Sequence, residues 1–140
     1  MNHYSESEIE SLIHRFEARR LPKSEWTHEA HLVVAIWYSK KYDFTTALDL
    51  VRENITKHNE SVGTPNSDTE GYHESITRFW LLTAHKFINA NSSLALSELC
   101  NDFIDSEFGR SDYPLTYYSP NLLFSVEARH AWVEPDIKAI

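Results

Sequence analysis

Apolar residues recur along this chain three and four positions apart, which is the spacing of one face of an α-helix. The first such stripe consists of Ile9, Leu12, Ile13 and Phe16. Ser5 lies before this stripe and Glu8 follows Ser5 by three residues, in the form of a capping box. Pro22 ends the pattern, so the first helix is predicted from about Ser5 to Arg20.

The second predicted helix differs from the first because it is apolar on every side. Thr27 is a suitable N-cap, and the run LVVAIWY from Leu32 to Tyr38 leaves no polar face. A helix of this kind is buried by its neighbours all round. We therefore expect a central helix that begins after Thr27 and extends to about Tyr42.

Three more helices follow, with one long interruption. Asp43 is expected to cap a third helix whose apolar face continues to His58. The segment 59–71 holds two of the three glycines and a proline, which predicts a loop. Loops of this length are often functional. A fourth helix is predicted from about Tyr72 to Asn89, and a fifth over about 93–108.

These elements predict an all-α protein, a single-domain up-down helical bundle of about five main helices with an irregular aromatic C-terminal tail. Within one domain spanning 1–140, residues 1–21 are expected to form the N-terminal helix, 27–108 the core bundle and 109–140 the wrapped tail. The tail is rich in tyrosine and interrupted by proline, and one short helix is expected around 125–132.

Composition narrows the classes of function. With 140 residues, of which 41% are apolar and 13% aromatic, the chain can form a core. Its net charge of −8 disfavours nucleic acid as a partner, and its longest apolar run is far too short to span a membrane.

The single cysteine, Cys100, excludes an internal disulfide and lies within an apolar stripe, so we expect it in the core. This cysteine usage and the polar, acidic start lead us to expect a cytoplasmic location.

Four of the eight histidines are expected at one end of the bundle. Short loops make successive helices antiparallel, so the second and fourth helices begin at the end where the third helix finishes. His28 and His31 open the second helix, His58 closes the third, and His73 opens the fourth. The predicted topology places these side chains beneath the long loop 59–71, which would act as a lid.

One hypothesis for this end of the bundle is a metal-dependent enzyme that acts on a small molecule, with anionic molecules among the candidates. His28, His31 and His73 would be the metal ligands, because three such donors with an open position make a catalytic site. Glu74 and His58 would supply acid or base catalysis or support the ligands. A divalent transition metal such as zinc, iron, nickel or manganese would be the cofactor. The spacing is not that of the His-Glu-x-x-His helix of zinc proteases.

A second hypothesis uses the same imidazoles without a metal, for small-molecule binding or for acid and base catalysis. A histidine at a helix N-terminus is kept neutral by the helix dipole and can act as a general base or an electrophile. Two helix N-termini also attract a carboxylate or phosphate group. The residues expected to contact the small-molecule ligand are Thr27, Tyr72, Thr77, Arg78 and Trp80.

A third hypothesis is a protein-interaction module without catalysis, motivated by the acidic charge and the aromatic tail. In that case each histidine is a hydrogen-bonded structural residue, and His73 and Thr77 brace the start of the fourth helix. Trp26, Trp37 and Trp80 are then core residues rather than a cage for a ligand.

Three stretches of the sequence carry distinctive motifs: WTHEAHL, GYHESITRFW and YYSPNLLFSVEARHAWVEPDIKAI. They contain a Trp/Phe-Thr-His-x-x-His-Leu start, a Tyr-His-x-Thr/Ser-x-Thr-x-x-Trp block and a Ser-x-x-Ala-Arg tail that ends in Pro-Asp. In these motifs the chain resembles a group of small bacterial proteins of unknown function, over most of its length from Trp26 onward. The resemblance implies kinship in fold and no reaction, and it adds Arg129 to the residues of interest.

Overall fold

The computed structural model describes residues 4–140, and every regular element in that range is helical. Five long helices come first: α1 Glu6–Glu17, α2 His28–Lys41, α3 Phe44–Ser61, α4 Glu74–Ala90 and α5 Leu96–Asp105. The tail adds α6 Pro120–Leu123 and α7 Val126–His130, and single 3-10 turns lie at Lys23–Glu25, Glu107–Gly109 and Tyr113–Thr116. The prediction of an all-α bundle with five main helices is confirmed.

The first three helices begin at the predicted N-caps. Ser5 and Glu8 form a complete capping box, in which the Glu8 N–H donates to Ser5 Oγ and the Ser5 N–H donates to Glu8 Oε1. Thr27 Oγ1 accepts from the Ala30 N–H at 3.2 Å, and Asp43 caps α3 in the same way. Each bond satisfies an N–H that the first turn of a helix leaves without a partner. These helix starts are therefore encoded by residues three positions apart.

Helix α2 is the centre of the bundle, as its uniform apolarity predicted. It contacts α1, α3, α4 and α5, and nine of its fourteen residues are buried. Near its C-terminal end, the buried Tyr38 donates its hydroxyl proton to Glu17 and accepts from Asn54 Nδ2 at 3.1 Å. The phenol therefore joins α1, α2 and α3 through satisfied, partly buried polar contacts at the edge of the apolar core.

Helix α5 is shorter than predicted, because the chain turns away from it early. Glu98 Oε1 accepts from the Ala95 N–H, which sets the start of the helix. After Asp105 the chain makes a 3-10 turn that ends at Gly109. A Cβ atom at Gly109 would lie 2.3 Å from the Phe103 carbonyl oxygen, so this turn accepts only glycine without a shift of the backbone.

The C-terminal tail packs on the bundle through buried and polar contacts. Tyr118 is fully buried and donates to the Val133 carbonyl oxygen at 2.7 Å. Ser75 Oγ, near the start of α4, donates to the Ala131 carbonyl and accepts from the Val133 N–H. Ser119 Oγ donates to Asp136 at 2.6 Å. The tail therefore packs against the side of the bundle, as its aromatic residues predicted.

The loop between α3 and α4 is held by its own side chains. Helix α3 continues to Ser61, two residues beyond the predicted start of this loop. Asn66 Oδ1 accepts from Asn59 Nδ2 and from the Tyr72 N–H, both at 3.0 Å. Gly71 adopts a φ of +81°, and a Cβ there would lie 2.3 Å from the Pro65 carbonyl oxygen. The loop is therefore a folded turn fastened to the end of α3.

Two further predictions concern the single cysteine and the length of the apolar segments. Cys100 is buried on α5, and burial raises the pKa of its thiol to about 12, which agrees with a core role. Within residues 4–140, no helix combines the length and the apolarity that crossing a membrane requires.

Replacement of Leu32 tests the central position of α2. Leu32 is 1% exposed, and Leu32→Ala removes three buried carbons and leaves a cavity. We expect the free energy of unfolding, measured by urea denaturation, to fall by about 3 kcal/mol. The exposed Lys40 on the same helix provides the control, since Lys40→Ala is expected to change it by less than about 0.5 kcal/mol. Equal effects of the two substitutions would contradict the central placement of α2.

Candidate functional site

A partly open cavity lies between the first turns of α2, the facing sides of α3 and α4, and the tail. We call it the apolar cavity; it has a volume of about 360 Å³. Most of its wall consists of aliphatic and aromatic side chains, with His28, His31, Thr77 and Ser111 as its polar lining residues. This size and composition are those of a small-molecule site.

His31 is the most perturbed titratable group of the apolar cavity. Its Nδ1 lies 2.7 Å from the Thr27 carbonyl oxygen, one turn earlier in the chain. Since a carbonyl oxygen only accepts, Nδ1 carries the proton and Nε2 is the lone-pair nitrogen. Burial lowers the pKa of His31 to about 4, against the raising effect of the Thr27 bond. His31 is therefore neutral at pH 7, and within residues 4–140 no hydrogen bond occupies its Nε2.

Aromatic rings enclose His31 on the side away from the apolar cavity. The centroids of the Trp26 and His31 rings are 3.7 Å apart, and Trp26 stacks on Phe16 at 4.8 Å. His58 contacts the same indole, with a centroid distance of 5.1 Å. The stack removes water from one face of the His31 ring and so contributes to the burial that lowers its pKa.

His28 enters the apolar cavity from the first turn of α2. Its Nε2 lies 2.8 Å from the Gly109 carbonyl oxygen, so Nε2 donates, and within residues 4–140 no hydrogen bond engages Nδ1. The ring also contacts Trp80 edge to face at 5.4 Å. This hydrogen bond joins the start of α2 to the turn that follows α5.

His73 has a structural position at the start of α4. Its Nδ1 accepts from the Ile76 N–H at 3.1 Å, which makes His73 the N-cap of the helix. Its Nε2 donates to the Leu123 carbonyl oxygen at 2.7 Å. Burial lowers the pKa of His73, which keeps the ring neutral. Both nitrogens are occupied by backbone groups, so neither is free to bind a metal.

The structure does not bring His28, His31 and His73 together as metal ligands. Within residues 4–140, no three or more His, Cys, Asp or Glu side chains are arranged so that they could hold a metal ion. The predicted topology does place the starts of α2 and α4 beside the end of α3, since His31, His73 and Asn59 line a second, smaller cavity. His73 does not join the other two histidines because it caps α4. Its Nδ1 is bonded to the first turn of that helix and its Nε2 to the tail.

The two residues predicted to be catalytic lie outside the lining of the apolar cavity. His58 is fully buried and donates from Nε2 to the Leu21 carbonyl oxygen at 3.0 Å, between α1 and α3. Glu74 accepts from Arg52 Nε at 2.9 Å and Nη2 at 2.8 Å, and from the Tyr72 hydroxyl at 2.7 Å. Burial acts to raise the pKa of Glu74, but these hydrogen bonds outweigh it and lower the pKa.

The five residues predicted to contact a ligand divide among different places. Thr77 and Trp80 line the apolar cavity. Thr27 acts as the exposed N-cap of α2 and is not part of that lining. Tyr72 and Arg78 line a separate cleft on the other side of α4. Tyr72 and Thr77 also meet in the smaller cavity beside His73, so four of the five predicted contacts line openings and Thr27 lines none of them.

The tail supplies the part of the apolar cavity that sequence reasoning missed. The lining includes Ser111, Pro114 and Leu115 from the segment after α5, together with Leu123 at the end of α6 and Phe124 directly after it. Phe124 is 61% exposed and so reaches from the lining to the surface. The signal in the sequence is the tyrosine-rich composition of the tail with its interrupting prolines, which by itself predicts only a wrapped tail. Loop 59–71 contributes no residue to this lining, so the tail rather than the loop covers the cavity.

Comparisons with known proteins gave no match, so the function is inferred from the geometry of the structure. No protein-family model matches the chain, and neither a search of curated proteins nor one of solved structures found a match. The resemblance to small bacterial proteins stays a prediction.

The depressed pKa of His31 makes stability depend on pH in a defined direction. Below pH 6.5 the unfolded chain binds a proton at His31 while the folded chain does not, so folding is progressively disfavoured until the pH reaches about 4. Between pH 7 and 4.5, this residue should cost the folded state about 2 kcal/mol.

The matched variant is His31→Asn, because an Asn side-chain N–H can still donate to the Thr27 carbonyl but does not titrate. Urea denaturation at both pH values should show about 2 kcal/mol less acid destabilisation in the variant than in the wild type. Other acid-sensitive groups, including His73, are present in both proteins and cancel in this difference. Parallel losses in the two proteins would show that the His31 pKa is not depressed.

Proposed function

We propose that this chain is a metal-free small-molecule-binding protein whose ligand occupies the apolar cavity. The ligand has a mainly apolar body and at least one hydrogen-bond donor. The observation that carries the proposal is the pair of imidazoles, His28 and His31, each with one nitrogen bound to a backbone carbonyl. Their second nitrogens have no hydrogen-bond partner within residues 4–140, although both residues line the cavity.

The apolar wall supports a ligand with an apolar body. Val34 and Ala35 from α2, Val51 from α3 and Leu81 from α4 face the same space, and Trp80 provides a large aromatic surface. Burying an apolar group there gains about 25 cal/mol per Å² of surface removed from water. A volume of about 360 Å³ matches a molecule of one or two fused rings.

The polar groups of the cavity set the chemistry of recognition. A neutral imidazole with a protonated partner nitrogen presents a lone pair, so His28 Nδ1 and His31 Nε2 accept hydrogen bonds and donate none. A hydroxyl or amide N–H of the ligand would satisfy them. A carboxylate would find no donor at these atoms, so it would be disfavoured near them.

A pair of probes that differ in one donor tests this proposal. 2-Naphthol carries a hydroxyl proton, and 2-methoxynaphthalene has the same ring system without it. We expect isothermal titration calorimetry to show saturable binding of 2-naphthol with a Kd below about 1 mM, and binding about 3- to 10-fold weaker for 2-methoxynaphthalene. Absence of saturable binding for both compounds would contradict the proposal, as would equal affinities.

Two imidazole variants identify the acceptor. His31→Asn can keep the bond to the Thr27 carbonyl and His28→Gln can keep the bond to the Gly109 carbonyl, while each removes one lone-pair nitrogen. At least one of them should weaken 2-naphthol binding by about 3- to 10-fold and leave 2-methoxynaphthalene unchanged. His14 is exposed on α1, and His14→Asn is the control that should alter neither affinity.

Filling the cavity provides an independent test of where the probe binds. Ala35 is 4% exposed and lines the apolar cavity, whereas Ala47 is 0% exposed and does not. Ala35→Leu should weaken binding of both naphthalene compounds by at least about 10-fold, with little loss of stability because its new carbons occupy empty space. Ala47→Leu should leave both affinities unchanged while overpacking costs about 1–3 kcal/mol of unfolding free energy. Identical binding to the two variants would place the probe elsewhere.

A further inference from the structure

A second opening in the molecule lies between α3, the start of α4 and the tail, and we call it the arginine cleft. It has a volume of about 480 Å³, and its lining includes Arg52, Arg78, Arg129 and Trp132. None of its lining residues lines the apolar cavity. The two openings therefore need separate explanations, and the proposed function accounts for only one of them.

Arg78 is the unusual residue of this cleft. Its Nε is buried without a hydrogen-bond partner, and within residues 4–140 no hydrogen bond or ion pair engages its Nη groups either. The guanidinium carbon lies 4.9 Å from the centroid of the Trp132 ring and 5.7 Å from that of Phe44. Two aromatic faces therefore hold a cation that has no counter-ion in direct contact, which is an expensive state for a charged group.

The other cations of the cleft already have partners. Arg52 donates to both carboxylate oxygens of Glu74 and also pairs with Asp49 at 3.0 Å. Arg129 Nη1 donates to the Gly71 carbonyl oxygen at 3.0 Å. At the rim, His130 Nε2 lies 2.7 Å from Asp68.

Glu74 is the acidic group to consider as a partner for Arg78, because both line the arginine cleft. The Arg78 charge contributes to lowering the pKa of Glu74, so the two groups interact through space. Arg52 donates to both carboxylate oxygens and the Tyr72 hydroxyl donates to one of them as well. Glu74 is thus engaged by Arg52 and Tyr72, and within residues 4–140 no carboxylate forms an ion pair or hydrogen bond with Arg78.

We propose that the arginine cleft binds an oxyanion, a carboxylate or phosphate group of a small molecule, on the Nη groups of Arg78. A planar guanidinium matches either group with two parallel N–H···O bonds. The rings of Trp132 and Phe44 fix its orientation before binding, which lowers the entropic cost of pairing. Because the chain as a whole carries a charge of −8, this site depends on local charge rather than on long-range attraction of anions.

The experiment follows the Arg78 Nε–Hε resonance of the full chain by NMR during separate titrations with inorganic phosphate and with benzoate. Ionic strength is held constant with sodium chloride, so non-specific screening does not change. We expect a saturable shift in at least one titration. Saturation by phosphate alone assigns a phosphate group, by benzoate alone a carboxylate, and by both a general oxyanion site. Linear, non-saturating shifts in both titrations would overturn the proposal.

Variants then assign the binding to the guanidinium, with affinities measured by calorimetry. Arg78→Gln should weaken binding of the active anion by at least about 10-fold, because it removes charged donors. Arg78→Lys keeps the charge but loses the planar fork, so an intermediate loss is expected and foldedness is easier to retain. Arg15→Gln is the control, because it changes the net charge by the same amount. Arg15 lies in α1 outside the arginine cleft and pairs with Glu25 at 2.9 Å. Equal affinity of the Arg78 variants and Arg15→Gln would overturn the assignment.

This site is testable separately from the apolar cavity. Arg78→Gln should leave the affinity for 2-naphthol unchanged, and Ala35→Leu should leave the affinity for phosphate or benzoate unchanged. If the naphthalene compounds fail to bind while the anion titration saturates, the proposed function fails and the oxyanion site stands. The reverse result removes the oxyanion site alone.

Discussion

Burial of α2 on all sides is the constraint on which the rest of this structure depends. Four helices contact it, and the residues from Leu32 to Ser39 are all buried. A helix with no lateral polar face can carry polar groups only at its ends, so His28 and His31 must lie where the surrounding helices stop. The tail closes that end with α6 and the segment after α5. The apolar cavity is the space left between this first turn and the tail.

The chemistry of the cavity follows from hydrogen bonds that also hold the fold. A carbonyl oxygen accepts a proton from one nitrogen of each imidazole, from Gly109 for His28 and from Thr27 for His31. These bonds select the tautomer and leave one lone pair per ring. His73 shows the alternative outcome, since a backbone N–H takes its lone pair and a carbonyl takes its proton. Identical side chains at neighbouring helix starts therefore keep a free lone pair in one case and use it to cap the helix in the other.

Much of the fold could be predicted, because the signals that start helices are local. A cap joins a side chain to an N–H three residues later, so Ser5, Thr27 and Asp43 could be recognised in the sequence. The candidate site was harder to predict. Its lining depends on the tail, and nothing near Arg52 in the sequence marks it as the partner of Glu74, which lies 22 residues further along.

The sequence alone therefore specified the class of fold, the five main helices and the burial of α2, since all of these follow from periodicity and caps within a few residues. The tertiary structure established which nitrogens of His28, His31 and His73 are occupied, that Glu74 and Arg78 lie in a cleft apart from the cavity, and that the tail forms part of the cavity wall. The physical reason is distance along the chain. The carbonyl partners of His28 and His73 are 81 and 50 residues away, and only packing of the whole chain brings them within hydrogen-bonding range.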